Sequence, residues 1–157
     1  MEHLPALTLL MNAFHLRHML RVYAAFDRDL LEAVVLGEVA HHNFSAFGGA
    51  ATNAVELSAL LRRRDEPGAP PLLPTNAYSI ADATGIPRET VRRKVDSLVR
   101  RRFLRRDDRG GLFVTALARE HFAAFNVESL SEFVGTFRQL ESLVRSGPEV
   151  AGRSRRK

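Results

Sequence analysis

Apolar residues recur with a helical period at the start of the chain, at Leu7, Leu10, Met11, Phe14, Leu20, Val22, Tyr23 and Phe26, with Arg17 and Arg21 on the other side. The spacing predicts a helix from Leu4 to about Phe26. Asp27 is placed to cap a second helix, Arg28 to about His42, built on Leu30, Leu31, Val34, Val35, Leu36 and Val39. Its apolar residues cover more than one face, so it is expected to be the most buried element. Gly48-Gly49 marks Phe44–Thr52 as a loop. A short third helix follows over Asn53–Arg64, with Leu57, Leu60 and Leu61 inward and Arg62, Arg63 and Arg64 at the end where cations suit the helix dipole. Glu66–Pro74 holds four prolines and Gly68 and reads as a stiff connector.

The texture changes from Ala77. A two-turn helix over Tyr78–Thr84, a turn at Gly85-Ile86 and a longer helix from Pro87 to about Arg102 are predicted, with Pro87 at the first helical position. Val91, Val95 and Leu98 form the inward face of the longer helix. Two short strands, Phe103–Arg106 and Leu112–Thr115, flank Asp107-Asp108-Arg109-Gly110-Gly111, whose residues accept positive φ, so a hairpin is expected. A last helix spans about Ala118–Arg145. Along it Phe122, Leu130, Phe133, Phe137, Leu140 and Val144 form a coiled-coil-like seam. Gly147-Pro148 stops it. The expected divisions are therefore 1–43 (N-terminal helices), 44–75 (loop, short helix and connector), 76–117 (the helix-turn-helix and hairpin), 118–146 (C-terminal helix) and 147–157 (a disordered basic tail).

Charge sharpens this picture. The net charge is +5, yet residues 1–75 sum to −2 and residues 110–152 to −2. The excess sits in 87–109, which carries +6, and in a tail of Arg153, Arg155, Arg156 and Lys157. Basic charge gathered in one window is the footprint of a polyanionic partner; the bland alternative is a solvated, arginine-biased surface, since 21 of the 23 basic residues are Arg. Arg100-Arg101-Arg102 divides between solvated and phosphate-facing roles on this reading.

Other chemistries find little support. With no cysteine there are no disulfides and no thiolate ligands or nucleophiles. His15 with His18, and His41-His42, lack further ligands for a metal, so no metal or other cofactor is expected. Gly48-Gly49 and Gly110-Gly111 are isolated pairs, not phosphate-binding loops, and no nucleophile elbow is present; no catalytic residue is assigned. No apolar run approaches a membrane span, and the N-terminal stretch lacks the pattern of a secretory signal, so a cytoplasmic, nucleoid-associated protein is expected.

The order of short helix, tight turn, longer helix and hairpin has internal logic. Ala81 is small where two helices cross steeply, Gly85 supplies the left-handed turn, and Ile86, Val91 and Val95 lock the second helix on the first. This is the helix-turn-helix spacing, and the hairpin makes it a winged helix in a mainly α fold. The stretch SIADATGIPRETVRRKV resembles bacterial helix-turn-helix regulators. The layout of long N-terminal helix, second helix, helix-turn-helix, wing and long C-terminal helix resembles the MarR-type dimeric repressors. The string RETVRR, Arg88 to Arg93, is similar to the recognition helix of the catabolite activator family. That resemblance implies base reading by Arg88, Glu89 and Arg93; no β-rich domain precedes the motif, so cyclic-nucleotide control is not implied.

The expectation is a homodimeric winged-helix regulator of transcription bound to double-stranded DNA. Arg88 and Arg93 are expected to read guanine, Glu89 a cytosine amino group, and Arg92 a base or phosphate. Asn76 and Thr90 would contact phosphate, and Arg105, Arg106 and Arg109 on the wing would hold backbone or minor groove. Leu7, Phe14, Leu130, Phe133, Phe137 and Leu140 are the expected dimer interface. The alternative is a winged-helix adaptor that binds protein. The sequence names no operator, no small-molecule effector, and neither repression nor activation.

Overall fold

A computed structural model describes residues 3–145, so the expected basic tail lies outside the described residues. The chain divides into two compact units. One is Phe26–Phe122, and the other is formed by the described segments on either side of it.

The Phe26–Phe122 unit begins with a turn in which Asp27 (φ 52°) and Arg28 (φ 71°) are both left-handed. That turn moves the expected cap two residues along. Asp29, not Asp27, starts helix α2 (Leu30–Asn43), its carboxylate accepting the Glu32 N–H at 3.0 Å. α2 buries Val35 and Val39 completely. The expected loop at 44–52 is instead a short helix, α3 (Ser45–Ala50). Phe47 is fully buried there, and anchoring that ring overrides the poor helix propensity of Gly48 and Gly49. Helix α4 (Ala54–Arg62) is capped by Asn53, while Glu56 accepts in return from the Thr52 N–H (2.8 Å) and hydroxyl (2.6 Å). α4 packs on α3 and buries no residue fully.

The helix-turn-helix is built from α5 (Ala77–Thr84) and α6 (Arg88–Arg100). Asn76 caps α5, and Gly85 closes it in the left-handed conformation (φ 70°), where a Cβ would be strained. Pro87 stands one place earlier than expected, at the cap of α6 with an extended ψ of 133°. Ile80 on α5 and Val91, Val95 and Leu98 on α6 are inaccessible, and both α2 and α5 pack on α6. These three helices make the core. α6 ends in a Schellman arrangement: the Phe103 N–H donates to the Leu98 carbonyl and the Arg102 N–H to the Val99 carbonyl, both at 2.9 Å. Arg102 takes the left-handed position (φ 62°) usually held by glycine.

Strands β1 (Leu104–Arg106) and β2 (Leu112–Val114) pair antiparallel with Leu104 opposite Val114 and Arg106 opposite Leu112. Asp107 organises the turn, its Oδ1 accepting from the backbone of Arg109 (3.0 Å) and Gly111 (2.7 Å). A side chain at Gly111 would collide with Asp107 and Pro74, each 2.8 Å from a built Cβ. Thr75 bridges Leu112 from the other side, so the segment entering α5 joins the wing. Asn43, at the end of α2 and wholly buried, fastens this junction: its amide donates to the Leu73 (2.7 Å) and Leu112 (3.0 Å) carbonyls and accepts the Val114 N–H (2.8 Å).

The single helix expected from Ala118 is two. α7 (Ala116–His121), capped by Thr115, ends at Phe122, and α8 (Ala123–Arg145) follows. Phe122 is buried, stacked on Phe26 at 4.7 Å and edge-on to Phe103 at 5.4 Å. Seating that ring interrupts the helix, so α7 belongs to the winged-helix unit.

In the other unit, α1 (Leu4–Ala25) and α8 pack antiparallel. Phe14 is buried, stacked with His18 and edge-to-face with Phe133 at 5.6 Å. Arg17 and Arg21, expected on a solvent side, both reach Glu132 of α8, Arg17 at 2.5 Å. These bonds, the one from Arg17 foremost, hold the Glu132 carboxyl below its ordinary range. α1 is apolar on its outer face as well: Leu9, Leu16, Leu20 and Tyr23 are exposed there at alternating spacings of seven, four and three.

Candidate nucleic-acid interface

The buried positions of α6 leave Arg88, Glu89, Arg92 and Arg93 exposed together, with Thr90 half-buried between them. Four of the expected contact residues thus share one open face. Their side chains are not equivalent. The Arg92 guanidinium is held as a fork by Glu89, at 3.0 Å and 2.7 Å, and a second carboxylate, Asp96, lies 3.4 Å away. The hydrogen bond from Arg92 holds the Glu89 carboxyl below its ordinary range and raises Arg92 in turn. Arg93 makes no ion pair among the described residues. Arg88, the first residue of α6, lies with its guanidinium 4.1 Å from the ring centre of Tyr78 on α5.

Asp96 reaches the wing as well, accepting from Arg106 at 2.7 Å. One carboxylate therefore holds an arginine of the helix and one of β1. Arg105 covers the face of Phe113, 4.2 Å from its centroid, and Arg109 is exposed at the turn. Asn76 is exposed, but its side-chain oxygen is already used by the Ser79 N–H at 3.0 Å, leaving only its amide hydrogens for a phosphate. The Arg100-Arg101-Arg102 triplet separates. Arg100 and Arg102 are exposed, whereas Arg101 turns to the buried Glu32 at 2.6 Å and to Asp27 at 3.3 Å. Lys94 likewise turns away from the open face and pairs with Asp29.

Sequence reasoning missed Asp96 and Tyr78. Asp96 lies four residues after Arg92, a spacing that pairs side chains on a helix, so the signal for that contact was present. No local signal exists for Tyr78, which meets Arg88 only because two helices cross. Of the expected dimer residues, Leu130, Phe133 and Phe137 are exposed on α8, Leu7 and Leu140 are half-buried, and Phe14 is turned inward. The described residues contain no group of three or more His, Cys, Asp and Glu arranged to hold a metal. Nor, among them, is any helix long and apolar enough to cross a membrane.

No curated protein and no solved structure matches the chain. Residues 51–108, a little over a third of it, match the family described as the IclR helix-turn-helix domain. The match runs from α4 through α6 into the wing and does not extend to the finer MarR-like and catabolite-activator-like resemblances. It supports a helix-turn-helix regulator of transcription that binds DNA sequence-specifically, on a fold that is mainly helical with a two-stranded wing.

Proposed function

We propose that the chain acts as a homodimer on double-stranded DNA, with α6 in the major groove and the wing on the backbone or minor groove. The observation that carries this reading is the pair Arg88 and Arg93, exposed on the open face of α6 and free of ion pairs among the described residues. Each guanidinium matches the O6 and N7 acceptors of guanine. Glu89 exchanges its fork with Arg92 for a cytosine amino group, and the released Arg92 turns to a base or phosphate. Asn76, Thr90, Arg105, Arg106 and Arg109 supply the backbone contacts that fix register. Dimerisation uses the exposed flank of α8 (Leu130, Phe133, Phe137) with the outer face of α1, and sets two half-sites about one DNA turn apart, ~34 Å.

Selection of bound sites from random duplex DNA tests this reading. A site with two G·C-containing halves is expected, and Arg93→Ala should lose both affinity and preference. A wild-type protein that enriches no sequence would instead point to the protein-binding adaptor.

A further inference from the structure

Arg88 starts α6, the end of a recognition helix that comes nearest the base edges. Among the described residues it is the one arginine of the open face that rests on an aromatic ring. Its guanidinium lies 4.1 Å from the centre of Tyr78, the second residue of α5. Arg88 and Tyr78 are both exposed, so the contact is not a by-product of core packing. Nothing buried requires a tyrosine at this place. The Tyr78 hydroxyl has no hydrogen-bond partner among the described residues, and α5 is held independently by Asn76, Gly85 and the buried Ile80.

We propose that Tyr78 is a positioning and specificity residue of the DNA interface: its ring holds the Arg88 guanidinium in the plane from which it reads a base. This rests on the DNA-binding reading above and deepens it at one contact. An unsupported arginine on a helix end samples many rotamers, and ordering it on binding costs affinity. A stacked guanidinium is ordered beforehand and keeps its outer N–H groups in one plane, which is the geometry a bidentate guanine contact needs. The contrast with Arg92 is chemical. A carboxylate fork occupies the N–H groups that would read a base, whereas a ring face leaves them open.

The test is site selection and competition binding with Tyr78→Leu, Tyr78→Phe and Arg88→Ala, beside thermal melts of each protein. Tyr78→Leu should lower discrimination by about two- to fivefold for each half-site, at the same base pair that Arg88→Ala affects, and leave the remaining pairs and the melting temperature unchanged. Tyr78→Phe should retain the preference, because it keeps the ring. Unchanged discrimination in Tyr78→Leu would overturn the proposal, as would a uniform loss across all sequences that Tyr78→Phe shares. If the Leu variant melts early, the Phe variant decides, since loss of preference with the ring still present excludes the platform. Absence of any enriched site for the wild-type protein would instead defeat the DNA-binding reading itself.

Discussion

Arg106 of the wing donates to Asp96 of the recognition helix at 2.7 Å, and the same carboxylate faces Arg92 at 3.4 Å. Arg106, expected at backbone or minor groove, and Arg92, expected at a base or phosphate, are thus both drawn to one anion in the free protein. Phosphate contact must exchange these pairs, which tempers the attraction of the basic window for any polyanion and leaves Arg88 and Arg93 as the open cations of the first two turns of α6.

Replacing that anion should expose the balance. Asp96→Ala is expected to raise affinity for unrelated duplex DNA and to steepen its salt dependence by about one per subunit, as Arg106 becomes available to phosphates while Arg92 stays in its Glu89 fork. Preference among sequences should narrow, because sequence-independent attraction grows on every site alike. Titrations of a specific and a scrambled duplex at several salt concentrations measure both. Weaker binding to the scrambled duplex would mean that Asp96 aims Arg106 and does not restrain it.

The outer face of α1 makes a prediction about assembly. Leu9, Leu16, Leu20 and Tyr23 leave it uncharged and exposed while Phe14 is satisfied inside the helix pair. Leu16→Asp with Leu20→Asp should yield monomers, as should Phe133→Asp with Phe137→Asp, in sedimentation at micromolar concentration. Phe133 also touches Phe14, so the second pair of substitutions should lower stability and the first should not. A wild-type protein that sediments as a monomer would remove the dimer.

Asn43 is expected to be the costliest polar residue to lose in the winged-helix unit. Asn43→Ala strands the buried Val114 N–H without a side-chain partner and removes two further hydrogen bonds, to the Leu112 and Leu73 carbonyls, a loss of about 2–4 kcal/mol. The urea midpoint should fall with an unchanged slope. A variant as stable as wild type would show that water replaces the amide.

Acid should weaken the same unit through Asp29. Burial pushes its carboxyl up, but hydrogen bonds from Lys94 and from the Glu32 N–H outweigh this and hold it below the ordinary value. The folded state therefore binds this proton less readily than the unfolded chain. The resulting stability is complete above the ordinary aspartate value, near pH 4, and fades as pH falls through the lower folded value. Asp29→Asn keeps the helix cap and removes the charge. Urea midpoints measured downward from about pH 6 should fall less steeply in this variant than in wild type. Parallel curves would assign the acid sensitivity to Glu56 and Glu89, whose carboxyls are also held low.

The sequence by itself determined the helix-turn-helix and its wing. Gly85, Ala81, the Val91–Val95–Leu98 face and the Asp107–Gly111 turn each encode local geometry, and local geometry is what spacing records. The open face of α6 followed from the same periodicity, because burying Val91 and Val95 leaves Arg88, Glu89, Arg92 and Arg93 outward. Tertiary structure decided what long-range burial decides. Phe122 breaks the final helix with neither Gly nor Pro at the break, because its ring finds Phe26 and Phe103. Phe47 makes a helix of a glycine-rich segment for the same reason. Asn43 shows no pattern in sequence, since its three partners lie 30 to 71 residues away. Periodicity placed Phe14, Leu20 and Tyr23 in one apolar stripe of α1; packing against Phe133 of α8 turned Phe14 inward and left Leu20 and Tyr23 exposed. Charge counting gave the basic window its sum, but the partners of each cation depend on which helices cross. That is why Lys94 and Arg101 turned to Asp29 and Glu32, and Arg88 to a tyrosine.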